Sequence, residues 1–175
     1  MSEKSAATVL NYAPFDADQH YYEAEDAFTR YLDRKMRHRG IDWAEVQGRR
    51  RLLVGGQINR FIPNPTFDPV ARPGCLDDYF RGRNPDKLSI KELFGELEPI
   101  RAEYRNRDSR ILSLNNQNIG ACLMFPTLAV GMEEALKADI PAMLAVFRAF
   151  NRWLEEDWGF AYHNRIFSAP YFVLS

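Results

Sequence analysis

The segment Asp16-Ala17-Asp18-Gln19-His20 contains the side chains of this sequence best suited to chemistry. In extended backbone, residues i and i+2 point to the same side, so Asp18 and His20 can face one point together. A carboxylate and an imidazole placed in this way suit a borderline divalent cation such as zinc or manganese. The structural alternative is a turn at the end of a strand, in which Asp18 accepts a hydrogen bond from a backbone amide. Asp-x-His is frequent by chance, so the spacing alone favours that alternative.

Three apolar runs predict the strands that would position this segment. Residues 9–15 predict a first strand, which leads directly into Asp16. Residues 121–125 form a continuous apolar run ended by Pro126, which is typical of a strand buried on both faces. Residues 166–174 predict a third strand. Because helical segments separate these runs, we expect a parallel α/β sheet, and sites in such sheets form at the carboxyl ends of the strands.

The remaining elements follow from periodicity and from proline. Apolar residues at three- and four-residue spacing predict a helix, and the predicted helices span residues 23–37, 100–117, 132–138 and 141–158, with a short helical turn at 89–94. Residues 43–47 and 51–54 predict a β-hairpin whose turn contains Gly48. Residues 55–74 contain four prolines and should be irregular, as in a functional loop or lid. The stretch 41–99 is thus predicted to be an insertion after the first strand and helix.

The overall composition excludes several classes of protein. The 175 residues have a formal net charge of -1, so neither a nucleic acid nor a membrane is an expected partner. Cys75 and Cys122 lie far apart, which argues against a disulfide framework and fits a reducing cytoplasm. The N-terminus has no charged start followed by a long apolar run, and no stretch reaches the roughly 20 apolar residues of a membrane helix. These features predict a cytoplasmic protein, and they are compatible with a homo-oligomer.

The segment DADQHYYE resembles the opening motif of the amidohydrolase-related family, which includes aminocarboxymuconate-semialdehyde decarboxylase. A subgroup of that family has Asp-x-His followed by a nearby Glu, and this pattern falls on Asp18, His20 and Glu23. Three later segments resemble the family in the same order, namely ILSLNNQNIGACLMFPT, FRAFNRWLEEDWG and RIFSAPYFVLS. The resemblance implies a metal-dependent hydrolase or non-oxidative decarboxylase on a (β/α)8 TIM barrel. Asp18 and His20 would bind zinc or manganese, and the substrate would be an aromatic or carboxylic small molecule.

The sequence departs from the family in two places. The family usually has Met-Asp-x-x-Gly before its second strand, whereas this chain ends its corresponding segment at Asn118, a residue type that tolerates the left-handed conformation. A complete barrel also needs roughly 250 residues, and the family's other metal ligands, a His and an Asp, come from later strands. We therefore expect an incomplete barrel of about three strand-helix units, the N-terminal portion of one domain, without activity as an isolated chain.

Other candidate residues have simpler roles. Glu23 and Thr127 are candidate substrate-binding residues, although Thr127 fits equally well as a cap of the turn after Pro126. His163 precedes the third strand and should lie far from Asp18, while His38 and the Arg49-Arg50-Arg51 run should be solvated. Trp153 should be buried, and Asn151 should bond a neighbouring backbone. Two other functions remain open: a non-catalytic remnant that binds a partner, and a small-molecule binding module with an open α/β sheet.

Overall fold

The computed structural model describes residues 11–173, which form a mixed α/β structure. In chain order its first half contains β1 (Phe15–Tyr21), α1 (Arg34–Arg37), β2 (Ile41–Val46), β3 (Arg49–Val54), β4 (Gln57–Ile58), β5 (Val70–Ala71), α2 (Asp77–Phe80), α3 (Ile90–Leu93) and β6 (Leu97–Glu98). A 3-10 turn (Ala102–Tyr104) leads to α4 (Arg107–Asn116), β7 (Ala121–Pro126), a second 3-10 turn (Ala129–Gly131), α5 (Met132–Leu136), α6 (Ile140–Asp157) and β8 (Ile166–Ser168). None of the helices in the described part of the chain is long and apolar enough to cross a membrane.

The central sheet has three parallel strands in the order β1-β7-β8, as the apolar runs predict. The first strand, however, is Phe15–Tyr21, so the prediction of a strand at residues 9–15 is wrong for residues 11–14, and residues 9–10 lie outside the described range. Phe15 pairs with Ala121 and His20 with Phe125, which draws the polar segment into the sheet itself. Pairing along β7 therefore outweighs the local preference of Asp and Gln for turns. The third strand ends at Ser168, short of the predicted 174, and that last residue lies outside the described range.

One face of the sheet is buried and the other is half-open. Cys122 and Met124 have no exposed surface, whereas Leu123 and Phe125, which point to the opposite face, are only partly buried. The prediction that this strand is buried on both faces is therefore wrong for the second face. The buried face packs on α4 and α6, where Leu114, Phe150 and Trp153 belong to the same apolar core. Each large apolar side chain buried in this way stabilises the folded state by roughly 1.5–3 kcal/mol relative to an exposed one.

Helix α6 begins after an N-cap aspartate and is followed by a glycine, and α4 is followed by a residue in the left-handed conformation. Asp139 accepts a hydrogen bond from the backbone amide of Ala142 at the start of α6, and Gly159 follows its end with a φ of 75°. Asn118 has a φ of 56°, so it does adopt the left-handed conformation after α4. Trp153 is buried, as predicted, and lies 5.9 Å from Tyr21 between ring centroids. This contact fixes α6 against the end of β1.

Two predicted helices are shorter than the periodicity indicates. Only Arg34–Arg37 is helical within residues 23–37, although Ala27, Phe28 and Leu32 are buried as the spacing predicts. The intervening backbone forms successive turns, and their hydrogen bonds run mostly from residue i to i+3. Likewise α4 begins at residue 107, because Asn106 caps it through the amide of Ser109. On α4, Leu112 is 63% exposed, whereas Arg110 is buried and turned toward the sheet.

The stretch 41–99 contains the predicted hairpin and an irregular loop. The hairpin turn is Gln47-Gly48, both with positive φ, so Arg49–Arg51 belong to β3 and not to the turn. The segment 55–74 has no helix, in agreement with its prolines, and its only regular pieces are the two-residue strands Gln57–Ile58 and Val70–Ala71. The short turn predicted near residue 90 is α3, with Ser89 and Glu92 forming a capping box.

Gly120 provides a test of the contact between β1 and β7. Its amide donates to the carbonyl of Pro14 at 2.8 Å, and a Cβ at this position would lie 3.0 Å from the Ala13 carbonyl oxygen. We expect Gly120→Ala to lower the free energy of unfolding by about 1–3 kcal/mol, because the two backbones must separate. Urea unfolding followed by circular dichroism measures the effect.

The control is Gly131→Ala, where the added Cβ would lie an ordinary 3.5 Å from the Phe61 ring. Its effect should stay within about 0.5 kcal/mol. Equal decreases in the free energy of unfolding of the two variants would contradict the close approach of the two backbones at Gly120.

Candidate metal site at the strand ends

Asp18 and His20 lie on the same side of β1 and line one cleft. The nearest atoms are His20 Nε2 and Asp18 Oδ1, 3.4 Å apart, and both side chains are accessible to solvent. The register between β1 and β7 shifts between Asp16 and Gln19, so one extra residue of β1 is accommodated there. Such a bulge redirects a side chain locally. The bulge and the alternation of the strand together direct Asp18 and His20 into the cleft.

The imidazole of His20 is oriented by the neighbouring strand. Its Nδ1 atom lies 2.9 Å from the carbonyl oxygen of Pro126, at the end of β7. A carbonyl oxygen only accepts hydrogen bonds, so Nδ1 must be the protonated nitrogen. Nε2 is then directed toward the carboxylate of Asp18. Metal-binding histidines typically donate their other ring nitrogen to a carbonyl or carboxylate in this manner.

The cleft, which we call the strand-end cleft, has a volume of about 620 Å³ and lies at the carboxyl ends of the three parallel strands. Its lining residues are Asp18, His20, Phe125, Pro126, Val130, Glu133, Ala169, Pro170, Tyr171 and Phe172. Among the described residues, no group of three or more His, Cys, Asp or Glu side chains is arranged to hold a metal ion. Asp18 and His20 are a carboxylate and an imidazole of the types that bind zinc or manganese, and they are the two candidate ligands of the cleft.

Glu23, a candidate substrate-binding residue, does not line the cleft. It is buried, and its carboxyl oxygens accept hydrogen bonds from the backbone amides of Leu128 and Ala129 at 2.9 Å. Burial raises the pKa of Glu23 to about 7, although those amides partly oppose the shift. The structure thus gives Glu23 a structural role: it connects the end of β1 to the turn after β7.

Thr127, the second candidate, also joins the two strand ends. Its hydroxyl donates to the carbonyl oxygen of Tyr21 at 2.7 Å. The side chain is part of neither a helix cap nor the cleft lining. Like Glu23, it holds the backbone on which His20 and Pro126 are placed.

Arg110 is a site-supporting residue that the sequence does not reveal. It is buried on α4, and its guanidinium donates to the carbonyl of His20 at 2.9 Å and to the side chain of Gln19 at 3.3 Å. Burial lowers the pKa of Arg110. Arg110 lies one helical turn before the buried Leu114, so its charge faces the core and needs a buried polar partner there.

Asn151 fixes the far wall of the cleft. Its side-chain amide donates to the Tyr171 carbonyl at 2.9 Å and accepts from the Tyr171 amide at 2.8 Å, as a peptide group would. The Tyr171 ring stacks on Phe147 at 4.0 Å, and its hydroxyl lies 3.4 Å from Glu133. The prediction that Asn151 bonds a neighbouring backbone is confirmed, and the contact orients a cleft residue.

The other histidines and the arginine run lie elsewhere. His163 is in the turn before β8, against the Tyr162 ring at 4.2 Å, and it does not line the cleft. His38 is exposed at the end of α1. Within the arginine run, Arg50 pairs with Glu25 at 2.8 Å on the surface. Cys75 and Cys122 are both free thiols.

The chain is similar to one class of known enzyme in both sequence and fold. No family model matches the sequence, and no curated protein matches it either. The crystal structure of an amidohydrolase from Mycobacterium avium subsp. paratuberculosis K-10 is similar, with a TM-score of 0.87 and 47% sequence identity. The similarity covers 93% of this chain and 43% of that amidohydrolase, so the chain spans less than half of its length.

This comparison supports the resemblance first seen in the DADQHYYE segment. The chain is similar to an amidohydrolase in sequence and in fold over nearly all of its length. Amidohydrolases usually use divalent metals, which agrees with the two metal-type side chains in the cleft.

Glu23 should make stability depend on pH. Its pKa is about 7 in the folded protein and near 4.5 in the unfolded chain, so the folded state binds this proton more tightly. The stabilisation that comes from this proton is fully present below about pH 4.5 and is lost as the pH rises through about 7. Each unit of difference between the two pKa values corresponds to about 1.4 kcal/mol of unfolding free energy. We expect Glu23→Gln to lose less stability than the wild type between pH 5 and pH 8, as measured by urea unfolding.

Glu45→Gln is the matched control, since Glu45 is exposed on β2. Its free energy of unfolding should differ between pH 5 and pH 8 by the same amount as that of the wild type. An unaltered pH dependence in Glu23→Gln would show that the buried carboxyl is not its source.

Asn151→Asp tests the contact with Tyr171. A carboxylate cannot donate to the Tyr171 carbonyl, so two acceptors would face each other, at a cost of about 1–3 kcal/mol in unfolding free energy. Asn164→Asp, in an exposed turn, should stay within about 0.5 kcal/mol of the wild type. Thermal unfolding of both variants measures the difference, and a stable Asn151→Asp protein would refute the role given to this amide.

Proposed function

We propose that this chain is part of a metal-dependent hydrolase or non-oxidative decarboxylase of the amidohydrolase-related family, and that Asp18 and His20 are two ligands of its divalent metal. The observation that supports this most directly is the orientation of His20. Its Nδ1–H is held by the Pro126 carbonyl, and its Nε2 lies 3.4 Å from Asp18 Oδ1. Two electron-pair donors that face each other in a cleft are suited to share a cation.

Zinc and manganese are the metals that this pair fits best, because both accept imidazole nitrogen and carboxylate oxygen. When bound, such a metal would polarise a water molecule or a substrate oxygen. Asp18 and His20 would hold it, Pro126 would fix the imidazole, and Thr127 and Glu23 would fix the strand ends. Thr127 and Glu23 are thus proposed to position the site and not to touch the substrate.

We also propose that β1, β7 and β8 with their helices are the first three units of a (β/α)8 barrel. The parallel order of the three strands, the site at their carboxyl ends and the similarity to an amidohydrolase all support this arrangement. Catalytic zinc sites generally use three protein ligands and a water molecule, and the described residues bring two to the cleft. The 175-residue chain alone should therefore show no appreciable turnover.

The stretch 41–99 is proposed to be a lid. Phe61 lies against Gly131, beside the cleft residue Val130, and the Phe67 ring lies 4.7 Å from Tyr22, directly after β1. The Phe61 contact brings the proline-rich loop beside the strand-end cleft, and the Phe67 contact holds the loop at the end of β1. A loop in that position can exclude water from a bound ligand.

A small-molecule binding module is the second candidate. A separate cavity of about 490 Å³ lies between the loop and Tyr22, and Ile62, Phe67, Phe94 and Leu97 contribute to its apolar wall. A binding module would take an apolar ligand there without any metal. Saturable binding of an apolar ligand in the presence of a chelator, together with the absence of metal binding, would favour this function.

Metal titration is the direct test. We expect weak, saturable binding of Zn²⁺ or Mn²⁺ by the 175-residue chain in isothermal calorimetry. Asp18→Asn and His20→Gln should each weaken that binding at least about tenfold, because each removes one of two ligands. The matched controls are Asp86→Asn and His38→Gln, which change the same residue types on the exposed surface.

Equal affinities in the site variants and the controls would contradict the assignment of Asp18 and His20. Absence of any saturable binding would show that the pair does not form a site by itself. The similarity to an amidohydrolase would still stand, because it rests on the sequence and the fold.

A further inference from the structure

The Arg49-Arg50-Arg51 run lies in β3, so its side chains alternate between the two faces of the hairpin. Arg50 pairs with the carboxylate of Glu25 at 2.8 Å. Arg49 and Arg51 share the other face and lie roughly 7 Å apart along the strand. The alternation thus separates one neutralised guanidinium group from two that are neighbours.

No carboxylate in the described part of the chain pairs with Arg49 or Arg51. Their partners across the hairpin are Val46 and Ala44, which are both apolar. Arg51 donates to the carbonyl oxygen of Pro63 over a long 3.5 Å. Two like charges at this spacing repel each other, and a bound anion removes that repulsion.

These two arginines line a pocket of about 360 Å³ between β3 and the proline-rich loop, which we call the hairpin pocket. Its lining residues are Arg49, Arg50, Arg51, Pro63, Asn64 and Thr66. A neighbouring pocket of about 360 Å³ shares Arg51 and Pro63 with it and adds Arg60. The described lining residues of the two pockets include no Asp or Glu. Cationic side chains therefore line two adjoining pockets without a carboxylate to neutralise them there.

The loop side of the hairpin pocket is held by hydrogen bonds. The Thr66 hydroxyl donates to Asn64 Oδ1 at 2.9 Å, and Asn64 Nδ2 donates to the Pro69 carbonyl at 3.1 Å. The guanidinium of Arg105 donates to the Thr66 carbonyl. An amide nitrogen has two hydrogens, so Asn64 can also donate to a ligand in the pocket. The wall opposite the arginines is thus ordered before any ligand binds.

We propose that the hairpin pocket and its neighbour bind a diphosphate group, free or as part of a small phosphate ester, through Arg49, Arg51 and Arg60. Guanidinium groups form paired, charge-assisted hydrogen bonds with phosphate oxygens. A diphosphate consists of two tetrahedral groups, which matches two adjoining pockets that share Arg51. The two pockets share no lining residue with the strand-end cleft, so the site does not depend on the metal pair.

A diphosphate in this place also affects the loop. The hairpin supplies Arg49 and Arg51, whereas the loop supplies Arg60, Asn64 and Thr66. An anion that contacts both sides bridges them, and so it holds the proline-rich loop on the hairpin. The same ligand is therefore expected to reduce the local opening of this loop.

Isothermal calorimetry with inorganic pyrophosphate tests the site. The protein and buffer are passed over a chelating resin, because a divalent metal at Asp18 and His20 would itself bind pyrophosphate. The 175-residue chain should show saturable binding of pyrophosphate with a Kd below about 1 mM. Absence of saturable binding in this range would overturn the proposal.

Three substitutions locate the binding. Arg49→Gln, Arg51→Gln and Arg60→Gln should each weaken pyrophosphate binding at least about fivefold, because each removes a charge-assisted contact. Arg51→Gln should have the largest effect, since Arg51 lines both pockets. Arg148→Gln is the matched control, because Arg148 is an exposed arginine on α6 that lines neither pocket. Equal affinities in the three variants and the control, with all four proteins folded by circular dichroism, would overturn the site.

Three further ligands identify the anion. Inorganic phosphate should bind at least about tenfold more weakly than pyrophosphate, because it occupies one pocket only. Citrate has several negative charges but no phosphate, and it should bind at least about fivefold more weakly. Citrate binding as tight as that of pyrophosphate would overturn the assignment to a phosphate. Tighter binding of ADP than of pyrophosphate would identify the ligand as a diphosphate ester, and the reverse order would identify it as the free anion.

Hydrogen exchange tests the bridge between hairpin and loop. Saturating pyrophosphate should slow amide exchange in residues 60–67 at least about threefold, and Arg51→Gln should abolish this effect. Residues 84–92 are the internal control, because they are mostly exposed and line neither pocket. Pyrophosphate binding without slower exchange in residues 60–67 would overturn the bridging role.

Discussion

The pairing of β1 with β7 joins segments about a hundred residues apart, and the candidate site depends on it. His20 lies on one strand and its hydrogen-bond partner Pro126 on the other, separated by 106 positions. Closing so long a loop costs entropy, although the cost grows only slowly with length. The cost is offset by a parallel ladder whose buried face packs on α4 and α6. The imidazole is therefore oriented only in the folded protein, and an unfolded chain would have no equivalent site.

The carboxyl ends of these two strands are held by contacts that do not belong to the ladder. The Thr127 hydroxyl bonds the Tyr21 carbonyl, and the Glu23 carboxyl accepts two backbone amides after β7. Burying a carboxyl group costs free energy unless the group is well hydrogen-bonded. The hydrogen bonds from Leu128 and Ala129 offset that cost for Glu23 and at the same time fix the two strand ends. Arg110 contributes from the opposite side through the His20 carbonyl. Three polar side chains thus fix the backbone beneath a pair of solvent-accessible side chains.

Local patterns predicted the placement of Asp18 and His20 better than the contacts that support them. The i and i+2 spacing predicted that Asp18 and His20 face one point, and the two side chains do line one cleft. The prediction is correct although β1 begins at Phe15 and not at the expected residue 9. Alternation is a property of any extended segment, so it survives an error in the strand bounds. The partners of Glu23 and Arg110 lie about 90 or more residues away in sequence, and no local pattern can pair them. The prediction of a helix from residue 23 is wrong for most of its length, although its apolar residues are buried. The apolar spacing therefore indicated which residues are buried but not the conformation of their backbone.

The half-open face of the sheet connects the fold with the proposed function. Parallel sheets usually have both faces covered, yet here Phe15 is 56% exposed and its ring lies 6.3 Å from that of Phe167. In a (β/α)8 barrel this face would point to the interior, which side chains fill in layers. The strand-end cleft is formed at the carboxyl edge of the same face, where Phe125 contributes to both. Further strands that covered Phe15 and Phe167 would also lie beside Asp18 and His20. In the proposed barrel, the same strands would bury the apolar face and place further side chains beside Asp18 and His20.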